Sequence, residues 1–346
     1  MDADKHIFSA IPTNIITGFL GAGKSSAILH LLKHKPKNER WAVLVNEFGE
    51  IGIDGSLLEG QYTQEQGVFI REVPGGCMCC AAGLPMQVAL NQLLTYAKPD
   101  RLLIEPTGLG HPKEVLQTLS ADAYASVLAL HTIVTLVDAR KLSDRRYTEH
   151  ETFNEQIAIA DVVVGNKQDL YQGDEKAQLA TYVKQYGSEK ATVVFSQHGD
   201  LHSLNLSNKT TATAEHHHHH HHHAAESKPL LSDEPIPECG YLKAINQGEG
   251  FYSIGWRFSP EQRFDGEKLS IFLNSINAER MKAVFITNKG MLSYNLTAES
   301  LTENTLSHCE ESRIEIIHSH IDEQWEAQLM ACLAPFISST SVSSIR

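Results

Sequence analysis

At 346 residues, with 42% hydrophobic and 21% charged residues, the chain has the composition of a soluble globular protein long enough for two cores. Its formal net charge of −13 argues against a general nucleic-acid or anionic-membrane surface, both of which need clustered Lys and Arg. The six cysteines follow no disulfide framework, no signal-peptide pattern opens the chain, and no apolar run reaches spanning length. These features predict a reducing, cytoplasmic setting in which thiolates are available for chemistry.

From about Pro12 to Ser196, β-branched apolar runs alternate with helical patterns. The runs are "NIITGF", "WAVLVNEF", "GVFIREV", "RLLIEP", "TIVTLVDA", "DVVVGNK" and "ATVVFS". Several are apolar almost throughout, as strands covered on both faces are. Between them, Met86, Leu90, Leu93 and Leu94 recur at helical spacing, as do Val115, Leu116 and Leu119. The alternation predicts an α/β fold with a mostly parallel sheet covered by helices, over residues 1–203. Residues 204–238 turn polar and small, contain eight consecutive histidines, and read as a flexible linker. Residues 239–346 resume in another style. "FYSIGWRF" alternates as a half-buried strand, Gly266 to Asn274 is helical, and "RMKAVFITNKGMLSYNLTA" is a hairpin turning at Asn288-Lys-Gly. "RIEIIHS" is a further strand, and a closing helix starts at Asp322. This second part reads as a small α+β domain with no evident catalytic set.

Residues 18–25, "GFLGAGKS", match G-x-x-x-x-G-K-[ST] between a strand and a helix. Gly18, Phe19, Leu20, Gly21, Ala22, Gly23, Lys24 and Ser25 then form a phosphate-binding loop, with Ser26 next to it. Glycines let backbone N–H groups turn inward, Lys24 reaches the β/γ-phosphates, and the Ser25 hydroxyl ligates Mg²⁺. The strand "LLIEPTG" delivers Glu105, a carboxylate placed to hold Mg²⁺ or its waters. The strand ending "GNKQD" offers Asn166, Lys167 and Asp169 to a base. The Asp169 carboxylate accepts from guanine N1–H and its amine, which adenine lacks. Ser196, at the next strand end, is placed for backbone contacts to the same base. Between loop and Glu105, "VNEFGEIGIDG" carries Glu47, Glu50 and Asp54 on glycine-bearing, non-periodic chain, the pattern of a nucleotide-sensing switch. One of these acids is a candidate to position the attacking water or the metal.

Three of the six cysteines, Cys77, Cys79 and Cys80, fall in "VPGGCMCCAAG", between that switch segment and Glu105. A Cys79–Cys80 disulfide would be strained, and a C-x-x-C redox pair does not account for the third thiol. Three close thiolates suit Zn²⁺, with a further position left for another ligand, and burial as small hydrophobes is the plain alternative. His111, in "TGLGHP", is a candidate for that further ligand. His216, His217, His218, His219, His220, His221, His222 and His223 read as a metal-gathering run inside the linker, or as an engineered tag.

In this order, "GFLGAGKSS", "VNEFGEIGID", "GGCMCC", "LLIEPTG" and "NKQD" resemble the CobW-type P-loop GTPases, and among them the YeiR-type zinc-binding GTPases. The resemblance covers essentially the whole chain, including a CobW-type C-terminal domain. It implies a GTPase using GTP, Mg²⁺ and Zn²⁺ that acts as a metallochaperone, delivering zinc to client metalloproteins. It carries phosphate binding to Gly18 through Ser25, guanine recognition to Asn166, Lys167 and Asp169, and zinc to Cys77, Cys79 and Cys80. Some relatives carry an acid where this chain has Val45, so an accessory metal position there is not implied, although Glu50 is kept. Ser26 stands where many relatives have threonine. A cobalt or nickel inserter and a passive zinc buffer are the alternative functions. An iron–sulfur carrier ATPase is disfavoured by "NKQD". Homo-oligomerisation is compatible with all of these readings, and neither nucleic acid nor membrane is an expected partner.

Overall fold

The computed structural model describes residues 10–46, 64–73, 84–213, 234–248, 250–297 and 300–335. Its first sheet contains β1 (Ile11–Gly18), β2 (Trp41–Asn46), β3 (Val68–Val73), β4 (Arg101–Glu105), β5 (Leu128–Leu130), β6 (Val134–Asp138), β7 (Val162–Asn166) and β8 (Thr192–Phe195). All of these strands run parallel, in the order β3-β2-β4-β1-β6-β7-β8, with β5 extending the pairing of β1. The near-continuous apolar character of these strands has a direct cause. Successive residues point to opposite faces, and each face carries its own core. Ile15, Leu44, Leu102 and Ile104 pack with the helices α2 (Leu84–Ala97) and α3 (Pro112–Leu119). Ile16, Val43, Leu103 and Val134 pack on the other face with Ala27, Ile28 and Leu31 of α1 (Lys24–Lys33). A third cluster, around Phe19, Phe153 and Val163, brings in α4 (Arg145–Thr148), α5 (Glu151–Ala158) and α6 (Glu175–Tyr186).

The expected linker does not begin at residue 204 as a separate segment. Leu204 and Leu206 join the core on the α1 face, and Asn14 Nδ2 donates to the Leu206 carbonyl at 2.9 Å. Thr211 N donates to Asp161 Oδ1 at 2.8 Å, so residues up to 213 follow the first sheet. These contacts are made by scattered single residues, which composition averages away.

The second sheet is antiparallel, ordered β13-β12-β11-β14-β10-β9. Its strands are β9 (Tyr241–Gly248), β10 (Phe251–Phe258), β11 (Arg280–Thr287), β12 (Gly290–Leu296), β13 (Leu301–Thr305) and β14 (Ser312–His318). One face packs Trp256, Phe258, Met281, Phe285 and Ile314 against α7 (Gly266–Ser275) and α8 (Gln324–Met330). Each of the fully buried aromatics Trp256, Phe258 and Phe285 adds on the order of 2–3 kcal/mol of burial free energy. The β11–β12 hairpin turns at Asn288 and Lys289, with Thr287 opposite Gly290. Asp322 Oδ1 accepts from Gln324 N at the start of α8. Strands β5, β9 and β13 were not foreseen; β13, "LTENT", is almost wholly exposed and carries no apolar alternation to reveal it. Among the described residues, no helix is long and apolar enough to cross a membrane.

The two sheets touch at the first sheet's carboxyl edge. Ile317 of β14 and Phe251 of β10 enter the cluster of Phe19, Leu20 and Leu109. Arg146 of α4 pairs with Glu279 at 2.7 Å. That pair is exposed on the Arg146 side, so the apolar contact carries more of the docking.

Candidate functional site

In a parallel α/β sheet, ligands bind beyond the carboxyl ends of the strands, where the order reverses around the first strand. Here β1 lies between β4 and β6, and the segment 18–25 leaves its carboxyl end. Two glycines in it are required by geometry. Gly18 has φ +146°, and a Cβ there would collide with the Leu136 carbonyl oxygen. Gly23 has φ +99°, in the left-handed region, and a Cβ would lie 2.5 Å from Asn166 Nδ2. Phe19 and Leu20 anchor the loop by burying their side chains, which leaves the backbone to face a ligand. Helix α1 starts with no side-chain cap and no acid in its first turn. Its first N–H groups and positive end therefore suit an anion.

Lys24, Ser25 and Glu105 are buried together at the mouth of β1 and β4. Ser25 Oγ donates to Glu105 Oε1 at 3.0 Å. Burial, with Arg280 beside it, pushes the Lys24 ammonium down to about 7, against the opposing pull of Glu105. A serine hydroxyl and a carboxylate held this close form a hard-oxygen donor pair, and they fit Mg²⁺. When bound, that ion would supply charge neutralisation between phosphate oxygens; Ser25 and Glu105 would hold and orient it.

At the end of β7, Asn166 holds the loop in place rather than reaching outward. Its Nδ2 donates to the Ala22 carbonyl at 2.9 Å, and its Oδ1 accepts from Gly199 N at 3.2 Å. Lys167 adopts φ +59° and brings Nζ to 3.6 Å from Asp138 Oδ2. Asp169 is exposed in the following turn, and Gln168 N donates to the Ser196 carbonyl at 3.0 Å. The "NKQD" and Ser196 segments are thus tied side by side, with the Asp169 carboxylate open to solvent. Ser26 is exposed at the rim.

His111 stands at the start of α3, with Nδ1 2.7 Å from Glu155 Oε2. Together with Lys113, Glu114 and Glu151 it lines a cleft of about 630 Å³. Burial raises the Glu114 carboxyl above its usual range, partly opposed by His111. Glu47, Glu50, Asp54, Cys77, Cys79, Cys80 and His216 to His223 lie outside the described residues. Among the described residues, no group of three or more His, Cys, Asp or Glu side chains could hold a metal ion.

Two groups of residues at the site escaped sequence reasoning. Thr107, two positions beyond Glu105, buries its hydroxyl without a hydrogen-bond partner, and Gly108 after it backs onto the Lys24 ammonium. The second group comes from the domain that showed no catalytic set. Lys282 of β11 donates from Nζ to Ser25 Oγ at 2.9 Å. Arg280 and Lys282 line one cavity of about 310 Å³ with Gly21, Gly23, Lys24 and Ser25. The signal was present in "RMKAVFI", where two cations alternate with core residues on a single strand.

A glycine-cornered loop, an uncapped helix start, a buried lysine and a serine–carboxylate pair, all on one sheet edge, define a P-loop nucleotide-binding protein. Residues 12–194 match the family model described as CobW/HypB/UreG, nucleotide-binding domain, and the chain belongs to that family. It is 40% identical to the zinc chaperone YeiR of Escherichia coli (strain K12) over 334 residues, covering 95% of this chain and 99% of that one. It is 35% identical over 166 residues to the zinc-regulated GTPase metalloprotein activator 1 of Schizosaccharomyces pombe, covering 46% of this chain and 39% of that one. The crystal structure of Zn(II)-bound YjiA GTPase from E. coli is 19% identical, with TM-score 0.43, over 93% of this chain and 99% of that chain. The protein is a P-loop GTPase, with GTP as its nucleotide and Mg²⁺ as the accompanying ion.

Proposed function

We propose that this protein is a zinc metallochaperone in which GTP binding and hydrolysis drive transfer of zinc from Cys77, Cys79 and Cys80 to client metalloproteins. The observation that carries the reading is the end-to-end similarity to a protein named a zinc chaperone. It is supported by three thiols placed in the chain between the phosphate loop and Glu105. Thiolates are the soft ligands that favour zinc among available divalent ions, although geometry and supply also set occupancy.

In this reading Gly18 to Ser25 hold the phosphates, Ser25 and Glu105 hold Mg²⁺, and Lys167 and Asp169 select guanine, with Asn166 fixing the phosphate loop beside them. Glu47 or Asp54 positions the attacking water, and Glu50 supports the metal side. His111 is the candidate further zinc ligand, and binding zinc would exchange its contact with Glu155. The histidines from 216 to 223 collect metal between the domains, with residues 239–346 as the C-terminal domain. Their affinity falls below neutral pH as the imidazoles protonate.

Metal analysis of protein purified without a metal-affinity resin tests the reading. Zinc is expected, and replacing Cys77, Cys79 and Cys80 by serine should remove the tightly held ion while leaving GTP hydrolysis measurable. Tight cobalt or nickel in place of zinc would favour an inserter for those metals. Unchanged zinc in the triple variant would overturn the assignment of the thiols.

A further inference from the structure

Strand β11 has two faces with different duties. Met281, Ala283 and Phe285 enter the core under α7 and α8. Arg280 and Lys282, one residue out of phase, point the other way, toward the phosphate loop. Lys282 is only 7% exposed, and a lysine is rarely buried unless its ammonium has a polar purpose. Its Nζ reaches Ser25 Oγ at 2.9 Å, and that oxygen is itself 3.0 Å from Glu105 Oε1. The ammonium therefore stands at the serine–carboxylate pair that fits Mg²⁺. The neighbouring strands β12 and β13 add Ser293, Asn295, Thr302 and Asn304, so the sheet wall opposite the loop presents polar residues.

We infer that Arg280 and Lys282 are phosphate-binding residues, and that the C-terminal sheet forms the second wall of the GTP site. This rests on the P-loop reading of residues 18–25. A polyphosphate placed along the loop N–H groups would run through the cavity that both side chains line. The Arg280 guanidinium can fork onto two phosphate oxygens, and the Lys282 ammonium supplies a compact point charge. With Ser25 committed to a bound Mg²⁺, the Lys282 ammonium would lose its contact to the hydroxyl and be left to phosphate oxygens in the same cavity. Nucleotide occupancy and the seating of the C-terminal sheet are then linked through one strand.

The test is titration of the full chain with fluorescent GTP and GDP in Mg²⁺, for wild type, Arg280→Gln, Lys282→Gln and Lys282→Arg. Each glutamine variant should weaken GTP binding about ten- to a hundredfold, the scale of a lost charged hydrogen bond. GDP binding should weaken less, the salt dependence of GTP binding should become shallower, and Lys282→Arg should retain most of the affinity. Unchanged GTP affinity in both glutamine variants would overturn the inference. So would tighter GTP binding by Lys282→Gln, because Lys282 would then only compete with Mg²⁺ for Ser25. If Lys282→Gln does not fold, Arg280→Gln decides, since Arg280 is only partly buried. Failure of the wild type to bind GTP would instead contradict the P-loop reading itself.

Discussion

Asp169→Asn is expected to lower GTP affinity by at least about a hundredfold and to raise affinity for xanthosine triphosphate. An ionised carboxylate only accepts, so Asp169 can take both the N1–H and the exocyclic amine of guanine. An asparagine presents one acceptor and one donor, and its donor would face the guanine amine. Xanthine carries a carbonyl in place of that amine and restores the match. Asp169 is exposed, beside a turn fixed by Gln168 and Ser196, so the substitution should leave the fold intact. Titration with both nucleotides measures the exchange. Retained preference for GTP would remove Asp169 from base recognition.

The second large effect concerns Lys24. Lys24→Ala should reduce GTP turnover about a hundred- to a thousandfold, the loss typical of a preorganised charge at the reacting phosphate. A further signature follows from its lowered proton affinity. In the free protein burial and Arg280 hold the Lys24 pKa at about 7. The negative charge of a bound polyphosphate would return it toward the ordinary lysine value. Between about pH 7 and pH 10, where only the bound state keeps the proton, GTP binding should therefore take up a proton. At pH 8 the uptake should approach one, and below pH 6 it should vanish. The same shift makes the unfolded chain bind more protons than the native one in this window. The Lys24 contribution to stability of the nucleotide-free protein therefore rises with pH. Calorimetry in buffers of different ionisation enthalpy reads the uptake, and Lys24→Ala should lack it. Equal, buffer-independent heats in wild type would contradict this environment for Lys24.

Much of this architecture could be read in advance because the physics is local. Parallel strands buried on both faces leave apolar runs, and the loop residues at 18–25 have few alternatives to glycine at Gly18 and Gly23. The hairpin at Asn288 and the helix from Gly266 follow from turn residues and period. What the sequence hid is relational. Nothing local in "RMKAVFI" says that Lys282 will meet Ser25, because that contact joins residues in separate sheets. Asn166 was expected to bridge toward the base, yet its amide spans the Ala22 carbonyl and Gly199, a bond visible only after the strands are ordered. Residues 204–213 read as linker because their anchoring contacts, at Leu204, Leu206 and Thr211, are dispersed among polar positions. Thr107 follows a strand end like many threonines, and its unpartnered buried hydroxyl appears only in three dimensions.

In the proposed function, the bound nucleotide alters the grip on zinc. This coupling is tested by the Zn²⁺ affinity of the full chain, by chelator competition, with a non-hydrolysable GTP analogue and with GDP. The variant with Cys77, Cys79 and Cys80 replaced by serine subtracts binding by the histidine run. Tighter binding in one nucleotide state, by about five- to a hundredfold, is predicted from ordinary coupling free energies. Equal zinc affinity with the analogue and with GDP would contradict the coupling, leaving a GTPase and a metal site that act independently.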